Sequence, residues 1–257
     1  YMINLNFKRL IGVILSCVLC HSVNAAGVLE EVVVTAQKRE QNLQDVGIAV
    51  TAFSGDQTDA LGWESTEDVA AQTPGLTATS FNGDSSVSFF VVRGLGQADF
   101  GDQHEAPTVV YVDGAYIANT GAAAVQLFDM ERIETLKGPQ GTLFGRNATG
   151  GLVHILNRKP TEEFEAYGDI EFAEYDSIRF EGAVSGPLGN STQGRLSFLK
   201  HSADGFIEND IGPDLREQDD MSIRAQLQTD FSDRLSGHIS FTYSTVDDIN
   251  GGTYTPT

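Results

Sequence analysis

From residue 161 onward, apolar and polar side chains alternate in five successive segments. The segments read EAYGDIEF (165–172), IRFEGAVSGPL (178–188), RLSFLKH (195–201), MSIRAQLQTDF (221–231) and LSGHISFTYS (235–244). Strict alternation places successive side chains on opposite faces of a strand, so it predicts antiparallel strands with one apolar and one polar face. The third segment alternates less cleanly, because Leu199 falls on the polar side.

Two architectures fit this alternation. A soluble antiparallel sandwich turns its apolar face inward, whereas a membrane barrel turns it outward to lipid. The connections favour the barrel, because the short turns GPLGNSTQG and TDFSDR are separated by the long acidic connection SADGFIENDIGPDLREQDD. Five strands would leave an open edge in lipid. We therefore expect residues 161–257 to be the first strands of an incomplete transmembrane β-barrel that belongs to a longer protein.

Residues 27–160 show a different pattern, with short helices between short strands. The stretch FSGDQTDALG predicts a helix with Ser54 as its N-cap and Gln57 in a capping box. The stretch STEDVAAQTPG predicts a second helix capped by Ser65 or Thr66. Apolar runs that predict strands occur at 87–92, 108–112, 133–136 and 152–156. Together these elements predict a small α+β domain.

The first residues have the composition of a secretory signal peptide. Lys8 and Arg9 precede the apolar run LIGVILSCVLC, and the small residues of SVNAAG follow. The apolar run is too short to cross a bilayer as a helix, which takes roughly 20 residues. We expect residues 1–26 to be removed on export, with a lipoprotein signal acylated at Cys17 as the alternative. Since Cys17 and Cys20 are the two cysteines of the chain, the mature sequence would carry none.

Charge and motifs argue against several classes of function. The net charge of −20 disfavours a nucleic-acid partner, because phosphates require a basic face. The glycine-rich run GPQGTLFGRNATGG (138–151) lacks the Lys and Ser/Thr of a phosphate-binding loop. The sequence contains neither G-x-S-x-G nor H-E-x-x-H, and the acidic residues around His104 match no metal-ligand spacing. We therefore expect no enzyme activity, no cofactor and no metal site.

Four ordered motifs resemble the plug domain of TonB-dependent outer-membrane receptors. EEVVVTAQKRE (30–40) resembles the energy-coupling box with the segment after it, and VVRGLG (91–96) resembles the plug's R-G motif. PTVVYVDGAYI (107–117) resembles a plug strand, and the stretch 131–160 is similar to the end of the plug. The glycines of that last stretch are then interpreted as close packing of the final plug loops. His154 departs from the family, which usually has a smaller or amide residue there, and we interpret it as a core histidine.

The resemblance implies both an architecture and a set of partners. A signal peptide (1–26) precedes the TonB box and plug domain (27–160), and the first barrel strands (161–257) lie in lipid of a Gram-negative outer membrane. The implied partners are the TonB–ExbB–ExbD energy-coupling complex and a small-molecule substrate such as a ferric siderophore. The implied TonB contacts, called here the coupling segment, are Glu31, Val32, Val33, Val34, Thr35 and Ala36. Their β-branched run suits strand addition to a partner's sheet edge.

The remaining candidate residues lie inside the predicted plug. Phe100, His104 and Tyr116 are candidate substrate contacts, because the loops that carry them are expected to face outward. Arg93 and Arg146 are candidates for buried charge networks with carboxylates of the plug or of the barrel wall. The expected function is active uptake of a scarce nutrient, most often an iron–siderophore complex in this family. A passive outer-membrane barrel or a surface adhesin is the alternative.

Overall fold

The computed structural model describes residues 33–36, 38–39, 41–81, 84–97, 105–118, 125–209 and 212–247. The predicted signal peptide lies outside these residues, as do Glu31 and Val32 of the coupling segment. The candidate substrate contacts Phe100 and His104 also lie outside them.

The predicted plug domain contains short strands and three short helices within its described residues. Its elements are β1 (Val33–Val34), β2 (Gln41–Asn42), β3 (Ala49–Ser54), α1 (Gly55–Ala60), α2 (Asp68–Gln72), β4 (Leu76–Phe81), β5 (Asp84–Val92), β6 (Thr108–Val112), β7 (Ala115–Ile117), β8 (Met130–Lys137), α3 (Gly141–Phe144) and β9 (Gly151–Asn157). A single 3-10 turn, Leu43–Asp45, follows β2. The four predicted apolar runs coincide with β5, β6, β8 and β9, so these strand predictions are confirmed.

A five-stranded sheet forms the centre of this domain, in the spatial order β3-β8-β9-β6-β7. The strands β6 and β9 run parallel, whereas the other neighbouring pairs are antiparallel. Strands β1 and β2 pair with each other, as do β4 and β5, outside the central sheet. Both faces of the central sheet are covered, because Ile133 and Val153 lie in one buried apolar cluster while Leu136 and Leu152 lie in another.

The helix predictions are confirmed in position and partly wrong in detail. Ser54 and Gln57 form the predicted capping box of α1, since each side chain bonds the backbone N–H of the other residue. Helix α2 starts instead at Asp68, whose carboxylate accepts the backbone N–H groups of Glu64 and Ser65. Both N–H groups lie ahead of the helix, whose N-cap position is Glu67 with no side-chain capping hydrogen bond, so the predicted cap at Ser65 or Thr66 is wrong. Among the described residues, no helix is long and apolar enough to cross a membrane.

Five long strands follow the plug domain and form a second, separate sheet. They are β10 (Glu165–Ala173), β11 (Ser177–Pro187), β12 (Thr192–Ala203), β13 (Gln218–Ser232) and β14 (Leu235–Val246). Each strand pairs antiparallel with the next, so the sheet is a meander. We call this meander the wall sheet. Its long connection, between β12 and β13, is at the opposite end from the turns that follow β11 and β13.

The wall sheet exposes its apolar face, and strands β11 to β13 bury much of their polar face. Phe172, Phe241 and Ile239 are 75%, 67% and 72% exposed, respectively, whereas Arg195 and Arg224 on the other face are each 3% exposed. This arrangement is the one predicted for a barrel and the reverse of a sandwich core. Leu199, which breaks the alternation, is buried on the polar face at 1% exposure.

The apolar face predicts a depth-dependent response to charge. Leu196→Arg, in the middle of β12, is expected to destabilise the folded protein in a bilayer by about 2–4 kcal/mol. Ser202→Arg, on the same face of β12 but near its end, is expected to cost only about 0–1 kcal/mol. The free energy of unfolding of the full-length protein, measured by denaturant titration in lipid vesicles, tests the difference. Equal costs at the two positions would contradict a lipid-facing surface.

Candidate functional site

The described part of the coupling segment is docked on the plug domain. Val33 and Val34 pair with Gln41 and Asn42 as a short antiparallel ladder. The side chains of Val34 and Ala36 are fully buried, and both belong to one of the two apolar clusters of the plug domain. Val33 is 40% exposed. The segment therefore cannot meet a partner along its whole length while it stays in this position.

A buried carboxylate holds the coupling segment at its centre. Oε1 of Glu134 accepts the backbone N–H of Thr35 at 2.7 Å and the Thr35 hydroxyl at 3.2 Å. Arg132 donates from Nε to the same oxygen at 2.8 Å and from Nη2 to the Thr35 hydroxyl at 3.3 Å. Glu134 is 0% exposed. Bonds to an ionised acceptor are stronger than neutral ones, so Glu134 is the main polar attachment of Thr35.

His154 lies beside Glu134 in the plug sheet, as their cross-strand pairing between β8 and β9 requires. Its Nε2 accepts the backbone N–H of Gly114 at 3.1 Å, in the turn between β6 and β7. The side chain is buried at 6% exposure, which confirms the interpretation as a core histidine. Burial lowers the pKa of His154 below its ordinary value of 6.5, because the charged imidazolium loses water, and Glu134 opposes this shift.

A second polar centre joins the plug domain to the wall sheet at Asp129. Arg195 donates from Nε to Oδ2 of Asp129 at 2.7 Å and forms an ion pair with it through Nη2. The Ser197 hydroxyl also bonds the Asp129 carboxylate, and the Tyr167 hydroxyl donates to Oδ1 at 3.2 Å. The Asp129 and Arg195 side chains are 0% and 1% exposed, respectively. The wall sheet thus supplies these donors to one buried carboxylate of the plug.

The residues just before Asp129 continue this contact along the wall sheet. Arg179 donates to the carbonyl oxygen of Leu127 at 2.8 Å and to Glu181 at 2.8 Å. The Arg224 guanidinium lies 4.1 Å from the ring centroid of Phe128 and donates to the Phe128 carbonyl at 3.3 Å. Glu181 in turn accepts the backbone N–H of Asp129 at 3.0 Å. Hydrogen bonds and a cation–π contact therefore dominate this interface.

The arginines proposed from sequence lie elsewhere. Arg93 is exposed, and its backbone N–H bonds the carbonyl of Gly75. Arg146 forms an ion pair with Glu105 of the plug domain, with its own side chain 83% exposed. Among the ion pairs of the described residues that involve an arginine or a lysine, Asp129–Arg195 is the one that joins the plug to the wall sheet. The Glu64 carboxylate of the plug also lies 3.8 Å from Nδ1 of His201 in the wall sheet, and neither contact involves Arg93 or Arg146. Their role in a buried charge network stays a prediction.

Tyr116 is the candidate substrate contact that the structure describes. It lies in β7 and is 38% exposed. Its hydroxyl accepts a hydrogen bond from Asn147 at 3.0 Å, and its ring centroid lies 5.6 Å from that of Tyr111. In the part of the chain that the structure describes, no three His, Cys, Asp or Glu side chains are grouped as metal ligands.

Comparison with known families bears on this arrangement of plug and wall. Residues 42–152 match the TonB-dependent receptor plug domain, a span that contains β3 to β8, Asp129 and Glu134. The chain contains a TonB-dependent receptor plug domain. It is therefore a plug domain followed by the first antiparallel strands of a receptor barrel in the outer membrane of a Gram-negative bacterium. The match begins after the coupling segment, whose role stays a prediction.

Similar receptors extend well beyond this chain. The vitamin B12 transporter BtuB of Vibrio vulnificus strain YJ016 is 28% identical over 189 residues, which are 72% of this chain and 30% of that protein. The ferripyoverdine receptor of Pseudomonas aeruginosa is 27% identical over 182 residues, 65% of this chain and 22% of that protein. The chain thus spans less than a third of these two relatives.

Solved receptor structures share the fold. The ferric yersiniabactin uptake receptor FyuA from Yersinia pestis superposes with a TM-score of 0.68 at 25% identity, covering 77% of this chain and 31% of that one. The pyoverdine outer-membrane receptor FpvA from Pseudomonas aeruginosa PAO1, bound to pyoverdine, gives a TM-score of 0.69 at 20% identity, covering 82% and 30%. The second likeness concerns the fold alone.

Removal of the negative charge from the buried Asp129–Arg195 ion pair is expected to lower the free energy of unfolding strongly. Asp129→Asn leaves Arg195 as an uncompensated buried charge, which typically costs about 3–5 kcal/mol. Glu105→Gln breaks an exposed ion pair and is expected to cost about 0–1 kcal/mol. Denaturant titration of the full-length receptor, with protease resistance of the plug as a second probe, measures both. A loss for Asp129→Asn no larger than that for Glu105→Gln would contradict the role of Asp129.

His154 predicts a defined pH dependence. The unfolded chain takes up a proton on this histidine near pH 6.5, whereas the folded chain does so only at lower pH, so folding stability falls as pH decreases below about 6.5. The slope from this group is at most about 1.4 kcal/mol per pH unit. The difference in free energy of unfolding between wild type and His154→Asn, measured from pH 7.5 to 5, isolates the contribution of His154 to this pH dependence. The charged and titratable groups that act on His154 are Glu134, Asp113, Arg132 and Lys38. A pH-independent difference would show that His154 titrates normally.

Proposed function

We propose that the protein takes up a scarce nutrient across the outer membrane by TonB-dependent transport, and that this nutrient is an iron–siderophore complex. The observation that carries the proposal is the coupling segment held at Thr35 by a buried glutamate of the plug. A passive barrel has no use for an extended, β-branched segment docked in this manner. The match of residues 42–152 to the TonB-dependent receptor plug domain supports the same proposal.

Release of the coupling segment from the plug is the first step of the proposed transport mechanism. Its departure breaks the bonds from Thr35 to Glu134 and exposes the buried Val34 and Ala36. The freed run can then add a strand to a sheet edge of TonB, since main-chain hydrogen bonds supply the affinity in this mode of recognition. Substrate binding favours release only if the substrate binds the released state more tightly.

The plug–wall interface determines how much work is needed to displace the plug after the coupling segment has been released. Asp129 and Arg195 are stable in the interior only as a pair, so separation of plug and wall must rehydrate both. The interface residues are largely polar, and water can replace their hydrogen bonds once it enters. Force transmitted through TonB, with ExbB and ExbD coupling it to the proton gradient, would supply that work.

The choice of an iron complex rests on the relatives. They include the ferripyoverdine receptor of Pseudomonas aeruginosa and the ferrioxamine B receptor of Salmonella typhimurium. The vitamin B12 transporters among them make cobalamin the second candidate substrate. Tyr116, Phe100 and His104 remain the proposed contacts on the plug, and the proposal assigns no catalytic step to any residue.

The proposal predicts that backbone N–H removal in the coupling segment stops uptake but not binding. In the full-length receptor, Thr35→Pro deletes the N–H that a strand partner would use and fixes the backbone. Uptake of ⁵⁵Fe-loaded siderophores by cells that carry it is expected to fall to the level of a protonophore-treated wild type. Surface binding of the same complexes at 0 °C is expected to persist.

Thr35→Ser is the matched control, because it keeps both the N–H and the hydroxyl, and it is expected to transport normally. Energy-dependent uptake that survives Thr35→Pro would refute TonB coupling through this segment. Binding without energy-dependent uptake in the wild type would favour the adhesin or passive barrel. A panel of hydroxamate and catecholate siderophores, with cobalamin, separates the two substrate classes.

A further inference from the structure

The glycine-rich run GPQGTLFGRNATGG (138–151) forms a compact loop around helix α3 in the plug domain. The helix ends at Phe144, whose side chain is buried at 8% exposure. Gly145 follows with a φ of +88°, a left-handed backbone conformation that other residues rarely adopt. The backbone N–H of Gln140 bonds the carbonyl oxygen of Ala148 at 2.7 Å, which closes the loop. The loop therefore presents Phe144 to the interior of the plug.

On one side, this loop contacts the coupling segment. Phe144 belongs to the same buried apolar cluster as Val34 and Ala36. Lys38, two residues after the coupling segment, places its Nζ 5.5 Å from the centroid of the Phe144 ring. An ammonium group at this distance is attracted by the negative face of the ring. The backbone N–H of Lys38 also bonds the carbonyl oxygen of Thr35 at 2.8 Å, so Lys38 is attached to the coupling segment itself.

On the other side, the loop contacts the β6–β7 hairpin. The Tyr111 hydroxyl donates to the carbonyl oxygen of Phe144, and the two ring centroids lie 5.3 Å apart in edge-on orientation. Tyr116 is the direct cross-strand partner of Tyr111, with 5.6 Å between the ring centroids. The Asn147 amide donates to the Tyr116 hydroxyl at 3.0 Å. Both tyrosines of the hairpin therefore hold the loop that carries Phe144.

We propose that Phe144 is a positioning residue that keeps the coupling segment docked, and that Tyr111 and Tyr116 set the position of its ring. Packed interiors have few voids, so displacement of one ring is passed to its neighbour. A substrate that displaces Tyr116 thus moves the Phe144 ring and weakens its contact with Lys38. The inference rests on the proposed function, which makes Tyr116 a substrate contact and gives release of the coupling segment its meaning.

Site-specific labelling of the purified full-length receptor in detergent micelles tests the proposal without transport. Val34→Cys places a thiol at a fully buried position of the coupling segment, so a maleimide reacts only after the segment leaves the plug. Val69→Cys, at a fully buried position in the other apolar cluster, reports opening of the rest of the plug. The receptor without an introduced cysteine supplies the background.

Lys38 is exposed, so its substitutions test the contact with the ring without disturbing the interior. Lys38→Gln removes the cation and is expected to raise the labelling rate of the V34C thiol about two- to fivefold, as for one exposed cation–π contact. Lys38→Arg keeps a cation beside the Phe144 ring and is expected to leave the rate unchanged. Equal rates in Lys38→Gln and Lys38→Arg would overturn the proposal.

The two tyrosines are tested by the groups that they contribute. Tyr111→Phe removes the hydroxyl that holds the Phe144 carbonyl, and Tyr116→Ala removes the ring that packs on Tyr111. Each change is expected to raise the labelling rate of the V34C thiol about two- to fivefold, as for one lost hydrogen bond or aromatic contact. An unchanged rate in both variants would contradict a role of the hairpin.

Tyr167→Phe is the matched control, because it also removes a hydroxyl with hydrogen bonds, but at the plug–wall interface. It is expected to leave labelling of the V34C thiol as in the parent receptor. The V69C thiol is expected to label equally in all these variants. If Tyr167→Phe acted like Tyr111→Phe, or if the V69C thiol became reactive as well, the effect would be a general loss of stability and the proposal would be wrong.

Phe144→Leu keeps an apolar side chain and removes the ring through which the other residues are proposed to act. In this background, Lys38→Gln and the two tyrosine substitutions are expected to add nothing to the labelling rate of the V34C thiol, whereas independent contacts would add their separate effects. If Phe144→Leu does not fold, Tyr111→Phe is combined with Lys38→Gln. The rate must then rise by less than the product of the two separate factors.

Labelling requires neither TonB nor substrate. A receptor that takes up no iron complex but shows these labelling rates would therefore refute only the proposed function. Normal uptake with independent effects on labelling would refute only the role of Phe144.

Discussion

The pairing of Asp129 with Arg195 is the constraint that sets how the plug and the wall meet. Neither group is stable alone in the interior, so the plug must present its acid where the donors of the wall sheet converge. Those donors come from β10 and β12, because Tyr167 lies on the first of these strands while Arg195 and Ser197 lie on the other. One side chain of the plug thereby fixes its register against two strands.

The wall sheet places its apolar and polar residues in the reverse of their positions in a soluble protein. Its lipid-facing side carries residues such as Phe172 and Ile239, and its buried side carries arginines, serines and Gln226. Plug and wall consequently meet mainly through hydrogen bonds, which water can replace one at a time. An apolar interface of the same size would resist separation more strongly, because its exposed surface has no such substitute. The contact is specific and still compatible with displacement.

Sequence periodicity predicted the strands and left their surroundings undetermined. Alternation is identical whether the apolar face meets lipid or a core, and the connection lengths favoured lipid. The Asp129–Arg195 pair could not be found from sequence, because 66 positions separate the two residues and neither belongs to a motif. Motif reasoning selected Arg93 and Arg146 instead, which the structure places at the surface. The charges at polar positions of the wall strands, Arg179 and Arg224 among them, were the available signal.

The order of strands in the plug sheet has a consequence for biogenesis. Strand β9 is the last plug strand in the chain, yet it lies between β8 and β6 in space. Until Gly151–Asn157 have been translocated, the sheet consists of two separate halves that lack their common neighbour. The first wall strand begins at Glu165, only a short connection later. The plug sheet therefore reaches its final topology only when the chain is complete to within a few residues of the first wall strand, so very little chain separates folding of the plug from folding of the wall.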